Sequence, residues 1–232
     1  MSQKGLQKER ENNYPDIIPG KCTALTLQKK NQNRISLFVE GVFVAGFYQK
    51  VIFDFKINIG TSISHELLLK MEQEELRQII RERCFMWLAR RAHSRKELKQ
   101  KALLKQFPKD IIEDVIIEFD NKGYLNDPAF AILFASDKSK LYGWGPQKIR
   151  SALYQKGLQK QYIEEALNKA VTPEDVKSNL YKEVKKAKKR FLRIEDSLKR
   201  KNKLVGFLNR KGYNLDLILT EMENLLKLIE NE

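Results

Sequence analysis

The first third of the chain contains short runs in which hydrophobic and polar residues alternate. Four runs have this pattern: residues 23–28, 35–39, 42–47 and 51–59. A period of two is typical of β strands, and the polar residues 29–34 between the first two runs indicate a hairpin turn. We therefore predict a small antiparallel sheet within residues 22–63. Strands this short need a helix packed on them for stability.

From Ser64 onward the hydrophobic period becomes helical. Leu76, Ile80, Cys84 and Trp87 recur at helical spacing, which predicts that Cys84 and Trp87 face the core. The core is also expected to include Phe119, Phe130, Phe134 and Phe191. Breaks are predicted at Gly123, 143–146, 172–173 and Gly212. Asp127–Pro128 and Thr172–Pro173 each place a capping oxygen before a proline, which marks the start of a helix.

One pattern occurs three times in the helical part of the chain. The copies are residues 94–119, 145–170 and 200–225. In the second and third copies, Gly157 and Gly212 stand where a left-handed residue would end the first helix of a pair, and Gln106 takes that place in the first copy. We therefore expect the turn at Gln106 to be strained or shaped differently. A further helix precedes each pair, at 76–93, 128–138 and 173–195.

These patterns predict a mainly α fold of three tandem three-helix repeats, preceded by a small antiparallel β region. Units of about fifty residues bury little surface alone and are stabilised by stacking on their neighbours, so we expect an elongated, curved array. The predicted segments are a flexible leader (1–21), the β region (22–63) and three repeats (64–123, 124–171 and 172–232).

Composition and charge narrow the class of protein. The 232 residues include 44 Lys and Arg against 30 Asp and Glu, a formal charge of +14. Such a surface favours nucleic acid, an acidic protein face or an anionic membrane as partner. The two cysteines are too few for a disulfide framework, and the chain has neither an apolar run long enough to span a bilayer nor a signal-peptide core. We expect a soluble, cytoplasmic, monomeric protein.

The positive charge is concentrated near the C-terminus. Residues 176–211 contain fourteen basic and three acidic residues, a net charge of +11, whereas residues 1–75 have a net charge of +1. The final segment, 212–232, has a net charge of −4. A charge excess confined to one segment indicates a binding site more strongly than an evenly spread one.

Residues across nearly the whole chain, from about 22 to 230, resemble the RecX family of bacterial regulatory proteins. The first repeat carries Leu88-Ala89-Arg90-Arg91, Ser94 and Glu97-Leu98. The second begins with Lys122-Gly123-Tyr124-Leu125-Asn126-Asp127 and Phe130-Ala131, and continues with Gly145, Ile149, Leu153 and Lys156-Gly157. The third repeat matches least well, because its helices are long and basic.

The resemblance implies regulation of the recombinase RecA. Members of the family bind the RecA–single-stranded DNA filament, lie along its helical groove across neighbouring protomers, and block strand exchange and the coupled ATP hydrolysis. Many also bind DNA directly. The partners implied are therefore the RecA filament and single-stranded DNA, with double-stranded DNA as a further candidate and no membrane.

The candidate binding residues are mostly basic. The charged segment supplies Lys182, Lys185, Lys186, Lys189, Arg193, Lys199, Arg200, Lys201 and Lys203. Their helical spacing fits either sequence-independent phosphate contact or a solvated face. A second cluster, Arg90, Arg91, Arg95 and Lys96, fits partner contact or compensation of a helix C-terminus. Lys148 and Arg150 are candidates in the second repeat. Trp144, between two glycines, would stack on a base, anchor a partner or pack between repeats.

Catalysis has little support in the sequence. His65 and His93 do not form a zinc motif with the cysteines, and no phosphate-binding loop of the G-x-x-x-x-G-K-[ST] type is present. We expect no enzymatic activity, cofactor or metal. The alternative to a RecA regulator is a stand-alone DNA-binding protein whose repeats act like helix-turn-helix modules.

Overall fold

The structure is a computed structural model that describes residues 16–230. The strands are β1 (Gly20–Gln28), β2 (Asn31–Val39), β3 (Val42–Tyr48) and β4 (Ser62–Ile63). The helices are α1 (Gln49–Asp54), α2 (His65–Leu88), α3 (Arg95–Leu103), α4 (Lys109–Asn121), α5 (Asp127–Lys140), α6 (Pro146–Gln155), α7 (Lys160–Ala170), α8 (Pro173–Leu192), α9 (Ser197–Lys211), α10 (Leu215–Thr220) and α11 (Met222–Glu230). Most of the predicted leader lies outside the described residues, and its last two, Gly20 and Lys21, belong to β1.

The chain divides into two compact units. The first contains residues up to 89 together with 101–117, and the second contains residues 90–100 together with those from 118 onward. The sequence predicted as the first repeat, 64–123, therefore contributes to both units. The second and third repeats lie entirely within the second unit.

The predicted β region is an antiparallel sheet in the order β3-β2-β1-β4. The start of α2 covers it, since Leu68 and Met71 are completely buried in one core with Leu37 and Phe47 of the strands. The hydroxyl of Ser64 accepts the backbone N–H of Leu67 and so caps α2. The packed helix that such short strands require is thus supplied by the residues that follow the sheet directly.

The prediction of a fourth strand over residues 51–59 is wrong. Residues 49–54 form the short helix α1, and the fourth strand is the two-residue β4, which pairs with Gly20 and Lys21. A strand would bury Val51 and Phe53 on one face. The helix instead buries the consecutive residues Val51 and Ile52 and leaves Phe53 81% exposed. Short apolar runs fit either period, and here tertiary packing selects the helix.

The repeat pattern is confirmed at the level of burial. In the first helix of each pair, two sets of matched apolar positions have no exposed surface in any copy: Leu98, Ile149 and Leu204, and Ala102, Leu153 and Leu208. In the second helix of each pair, one matched set is also completely buried: Ile112, Ile163 and Ile218. The predicted elongated form of the array stays a prediction.

Three expectations about individual residues need correction. Asp127 does not cap α5, because the side chain of Asn126 accepts the N–H of Ala129, and Asp127 is the first helical residue. Trp87 is only half-buried, with the ammonium of Lys101 5.2 Å from its ring centroid. Phe134 is also only partly buried, whereas the other three predicted core phenylalanines are buried. The cap at Thr172 is confirmed, since its hydroxyl accepts the N–H of Asp175.

The first helix of each pair ends in the same left-handed turn. Its central residue has a positive φ in all three copies: 61° at Gln106, 83° at Gly157 and 92° at Gly212. In each turn the next residue donates its N–H to a carbonyl five residues earlier: Phe107 to Ala102, Leu158 to Leu153 and Tyr213 to Leu208. The turn at Gln106 is therefore not differently shaped. Because a side chain at positive φ is unfavourable, it is strained, as expected.

Replacing Gln106 with glycine is expected to raise the free energy of unfolding by about 0.5–1 kcal/mol. Glycine removes the left-handed strain, and part of that gain is offset by its larger conformational freedom in the unfolded chain. The measurement is urea denaturation followed by circular dichroism. Gly157→Ala should destabilise the protein by more than this, because it creates the strain that Q106G removes and also places a Cβ 2.7 Å from the side chain of Lys96. Equal midpoints for Q106G and the parent protein would contradict this account.

Adjacent repeats in the second unit meet at these helix ends. The hydroxyl of Ser94, just before α3, donates to the carbonyl of Lys156 at the end of α6, at 2.8 Å. One repeat later, the N–H of Gly145, just before α6, donates to the carbonyl of Lys211 at the end of α9, also at 2.8 Å. Ser94 and Gly145 are matched positions of the repeat, and so are Lys156 and Lys211. The same junction is therefore built twice.

Candidate nucleic-acid interface

The charged face on α8 follows directly from how that helix packs. Leu180, Val184 and Phe191 lie on one side of α8 and are completely buried in a core with Leu204 and Leu208 of α9. Residues spaced by three or four positions share one side of a helix, so the lysines between these apolar residues must lie on the opposite side. The amphipathic pattern thus keeps the charges in water.

Four predicted cations on α8 and at its end are exposed and carry no ion pair within residues 16–230: Lys182, Lys185, Lys189 and Arg193. Lys199, Lys201 and Lys203 on α9 are likewise exposed. We call these seven residues the basic face. Exposed cations whose charge is not neutralised by the protein are the groups that can replace the counterions of a phosphate backbone.

Lys186 differs from its neighbours on α8. Its ammonium lies 2.8 Å from Glu183, a residue only 4% exposed, and Lys211 contacts the other oxygen of the same carboxylate at 2.6 Å. Burial would raise the pKa of Glu183, but the two lysines lower it below its ordinary value. Lys186 therefore neutralises a buried charge and is not a free phosphate ligand.

An open groove of about 690 Å³ lies beside the basic face, between the end of α8 and α9. Its cationic lining residues are Arg190, Lys199, Lys203 and Arg210, with Asp196 as the acidic one. Arg200 does not join them. Its guanidinium donates to Glu230 at 2.7 Å and to the carbonyl of Ile194 at 3.0 Å, and its side chain is only 12% exposed. Arg200 therefore joins α9 to α11, and its role as a DNA ligand stays a prediction.

The predicted cluster at residues 90–96 is largely occupied by internal contacts. Arg95 donates from its backbone N–H and its guanidinium to Asp127, and a second guanidinium nitrogen contacts Asp120. Arg91 makes two hydrogen bonds to Glu97, each of 3.2 Å. Arg90 and Lys96 are exposed. Arg95 therefore ties α3 to the start of α5, which is a structural role.

The candidate binding residues in the second repeat also make contacts within the protein. Arg150 forms a two-pronged ion pair with Glu164, at 2.8 and 2.9 Å. Trp144 is half-buried and meets Phe134 edge to face, and the ammonium of Lys148 lies 4.3 Å from its ring centroid. These contacts lie within the second repeat, so they are packing inside a repeat rather than the expected packing between repeats, and stacking of Trp144 on a base or a partner stays a prediction.

Glu97 is a residue that the sequence analysis names only as part of the family resemblance and not as a site residue. It accepts hydrogen bonds from Arg91, from the Ser94 backbone N–H and from Lys156, and so joins α3 to the end of α6. Burial alone would raise its pKa, but these three donors lower it to about 2. The available signal in the sequence is that Lys156 and Lys211 occupy the same repeat position. In the structure Lys156 binds the largely buried carboxylate of Glu97, and Lys211 binds that of the buried Glu183.

Replacing Glu97 with glutamine is expected to destabilise the protein by about 1–2 kcal/mol at pH 7, after allowance for solvent screening. The pKa of Glu97 is lower in the folded state than in the unfolded chain. The ionised carboxylate of Glu97 therefore contributes fully to the free energy of unfolding at pH values above its pKa in the unfolded chain. This contribution is lost as the pH falls toward 2. Urea denaturation at pH 7 and pH 3 measures both effects. The difference in the free energy of unfolding between variant and parent should be smaller at pH 3 than at pH 7. An equal difference at both pH values would contradict the stabilising role of the Glu97 carboxylate.

The described residues contain no helix that is both long and apolar enough to cross a bilayer.

Comparison with protein families gives four consecutive matches. These are the RecX N-terminal domain at residues 20–64, and the first, second and third RecX three-helix domains at residues 81–119, 126–167 and 174–222. Every predicted repeat thus contains one family domain, and the N-terminal domain spans the whole predicted β region.

Similar proteins extend over most of the chain. The regulatory protein RecX of Clostridium botulinum (strain Eklund 17B) is 30% identical over 198 residues, covering 85% of this chain and 92% of the relative. That of Clostridioides difficile is 27% identical over 213 residues, covering 91% and 98%. A crystal structure of regulatory protein RecX has the same fold, with a TM-score of 0.70 at 19% identity, covering 92% of this chain and all of that chain. RecX from Lactobacillus salivarius matches 66% of this chain with a TM-score of 0.56 at 21% identity. The chain belongs to the RecX family of regulatory proteins.

Proposed function

We propose that this protein regulates the RecA recombinase by binding along the filament that RecA forms on single-stranded DNA. The observation that carries the proposal is the match to all four RecX domains in order along the chain. The protein acts by binding, as a cytoplasmic monomer, without a reaction or cofactor of its own. Its effect is to restrain ATP hydrolysis and strand exchange by the filament.

The basic face supports this role because a RecA filament contains a polyanion. Its seven exposed cations lie on two consecutive helices, and lysines on a helix face contact phosphates without reading bases. Binding is therefore independent of sequence and weakens as salt rises. Single-stranded DNA is the nucleic-acid partner within the filament, and double-stranded DNA offers the same phosphate chemistry.

Restraint requires that the protein bind one state of the filament more tightly than the others. A ligand shifts a conformational equilibrium only by its difference in affinity for the two states. A chain of successive repeats that spans neighbouring RecA protomers binds best when those protomers keep one arrangement. Hydrolysis needs protomers to change arrangement, so the bound protein slows turnover.

The test is ATP hydrolysis by RecA on single-stranded DNA, with and without this protein, over a range of salt concentrations. The proposal expects inhibition that persists at a salt concentration where binding to naked DNA is lost. Equal affinity for naked DNA and for filaments would instead favour the stand-alone DNA-binding alternative, which rests on the basic face alone. An unchanged ATPase rate at saturating protein would refute inhibition.

A further inference from the structure

The second unit contains a cleft that the basic face does not use. It has a volume of about 470 Å³ and lies along one side of α5. Phe130 and Phe134 form apolar parts of its wall, Leu133, Leu141 and Tyr142 extend the apolar lining, and Arg91, Lys138 and Lys156 supply its positive charge. This volume lies within the range of about 300–1,000 Å³ that is usual for ligand pockets, so the cleft has room for several atoms or side chains of another molecule.

The apolar lining of the cleft is open to solvent. Leu141 is 72% exposed, Leu133 57% and Tyr142 54%. Single exposed leucines are ordinary on protein surfaces, but three large apolar side chains around one concavity mark a site for a partner. Their burial by a partner would be favourable, because each side chain would lose contact with water.

The charges of the cleft are held in place by other groups. Arg91 and Lys156 both bind Glu97, which fixes their positions without consuming all of their hydrogen-bonding groups. The ammonium of Lys138 lies 3.9 Å from the ring centroid of Tyr142. One carboxylate, that of Asp137, also lines the cleft. With Glu97 counted, three cations face two carboxylates, so the cleft has a small positive charge that fits a partner with one or two carboxylates better than a phosphate backbone.

We propose that this cleft binds a protein segment in which a bulky apolar side chain stands beside one or more carboxylates. The apolar side chain would enter between Leu133 and Leu141, and a carboxylate would meet Lys138. This inference rests on the proposed function, because the segment is taken to belong to the recombinase in the filament. The second repeat then recognises protein, while the basic face on the third contacts phosphate.

The chemistry of the cleft disfavours nucleic acid as its occupant. Bases stack on aromatic rings, and the lining does contain Phe130, Phe134 and Tyr142, but its two most exposed apolar residues are leucines. Two of the three cations are already paired with Glu97, and Asp137 would repel a phosphate. The groove between α8 and α9 offers four cations instead. Within the second unit, that groove is the better site for a phosphate backbone.

The test compares two pairs of exposed leucines. Leu133→Gln with Leu141→Gln alters the cleft, and Leu215→Gln with Leu219→Gln is the control, because these leucines are 48% and 51% exposed and lie outside the cleft lining. The first pair is expected to raise the concentration for half-inhibition of the RecA ATPase at least about tenfold. Its affinity for naked single-stranded DNA should stay within about twofold of the parent, and the control pair should change neither quantity.

Other outcomes overturn the inference. A loss of naked-DNA affinity in the cleft variant would make the cleft a nucleic-acid site, and unchanged inhibition would exclude it from filament binding. A parent protein that does not inhibit the ATPase would refute the proposed function itself, which is a different result. Lys138→Glu is a second variant that keeps the leucines, and it should weaken inhibition by placing a carboxylate opposite the partner's carboxylate. Equal urea midpoints would establish that all variants fold.

Discussion

Reversing four charges on the basic face, at Lys182, Lys185, Lys189 and Arg193, is expected to weaken binding to single-stranded DNA several-hundred-fold at 0.1 M salt. Each phosphate contact on a single strand contributes about 0.7 to the slope of log affinity against log salt concentration. Losing four contacts lowers that slope by about 3, which corresponds to roughly 600-fold between 1 M and 0.1 M salt. Filament inhibition should fall with it. Fluorescence anisotropy at several salt concentrations measures the affinity for single-stranded DNA and its dependence on salt. The RecA ATPase assay measures the inhibition.

The choice of residues follows from the structure. Lys186 stays unchanged because it neutralises the buried Glu183, and its reversal would confuse unfolding with lost contact. The control reverses four exposed lysines that lie elsewhere: Lys29, Lys30, Lys105 and Lys109. Both variants lose the same net charge. Equal losses of affinity in the two variants would mean that the field of the whole molecule attracts DNA, and the basic face would then have no special role.

The repeats could be predicted from the sequence because their periodicity is local. Leu98, Ile149 and Leu204 are separated by about one repeat and are all completely buried. A buried stripe on a helix is set by residues three and four positions apart, so one chain suffices to detect it. Helix α1 could not be predicted in this way. Its six residues are too short for a period to be decided, and the surrounding core determines which of Val51, Ile52 and Phe53 is buried.

The candidate site was predictable only in part, for a related reason. The exposure of Lys185 and Lys189 follows from the apolar stripe on the same helix. The pairing of Arg95 with Asp120 and Asp127, and of Arg200 with Glu230, depends on residues 25 to 32 positions away. A sequence shows that such charges exist but not which of them meet. The same limit hides the cleft, because its lining comes from separate segments around α5.

The junction between the second and third repeats leaves no room for one additional methyl group. A Cβ on Gly145 would lie 2.3 Å from both the carbonyl carbon and the oxygen of Gly212. The same approach carries two backbone hydrogen bonds, from Gly145 to Lys211 at 2.8 Å and from Gln147 to Gly212 at 3.0 Å. The hydroxyl of the buried Tyr213 adds a third bond, to the carbonyl of Gly143 at 2.9 Å. A shift at this point therefore disturbs several bonds at once.

Gly145→Ala is accordingly expected to lower the free energy of unfolding by about 3 kcal/mol, from overpacking against backbone together with weakened hydrogen bonds. The φ of Gly145 is −75°, a value that alanine adopts readily, so the loss cannot come from backbone strain. Gly206→Ala in α9 is the matched control. A Cβ there would meet only the guanidinium of Arg210, at 3.3 Å, and alanine should stabilise the helix by about 0.5–1 kcal/mol. Urea denaturation measures both changes, and hydrogen exchange should show faster exchange at the N–H groups of Gly145 and Gln147 in the first variant only. If G145A and G206A unfold at the same urea concentration, the close approach of Gly145 to Gly212 does not hold these two repeats together.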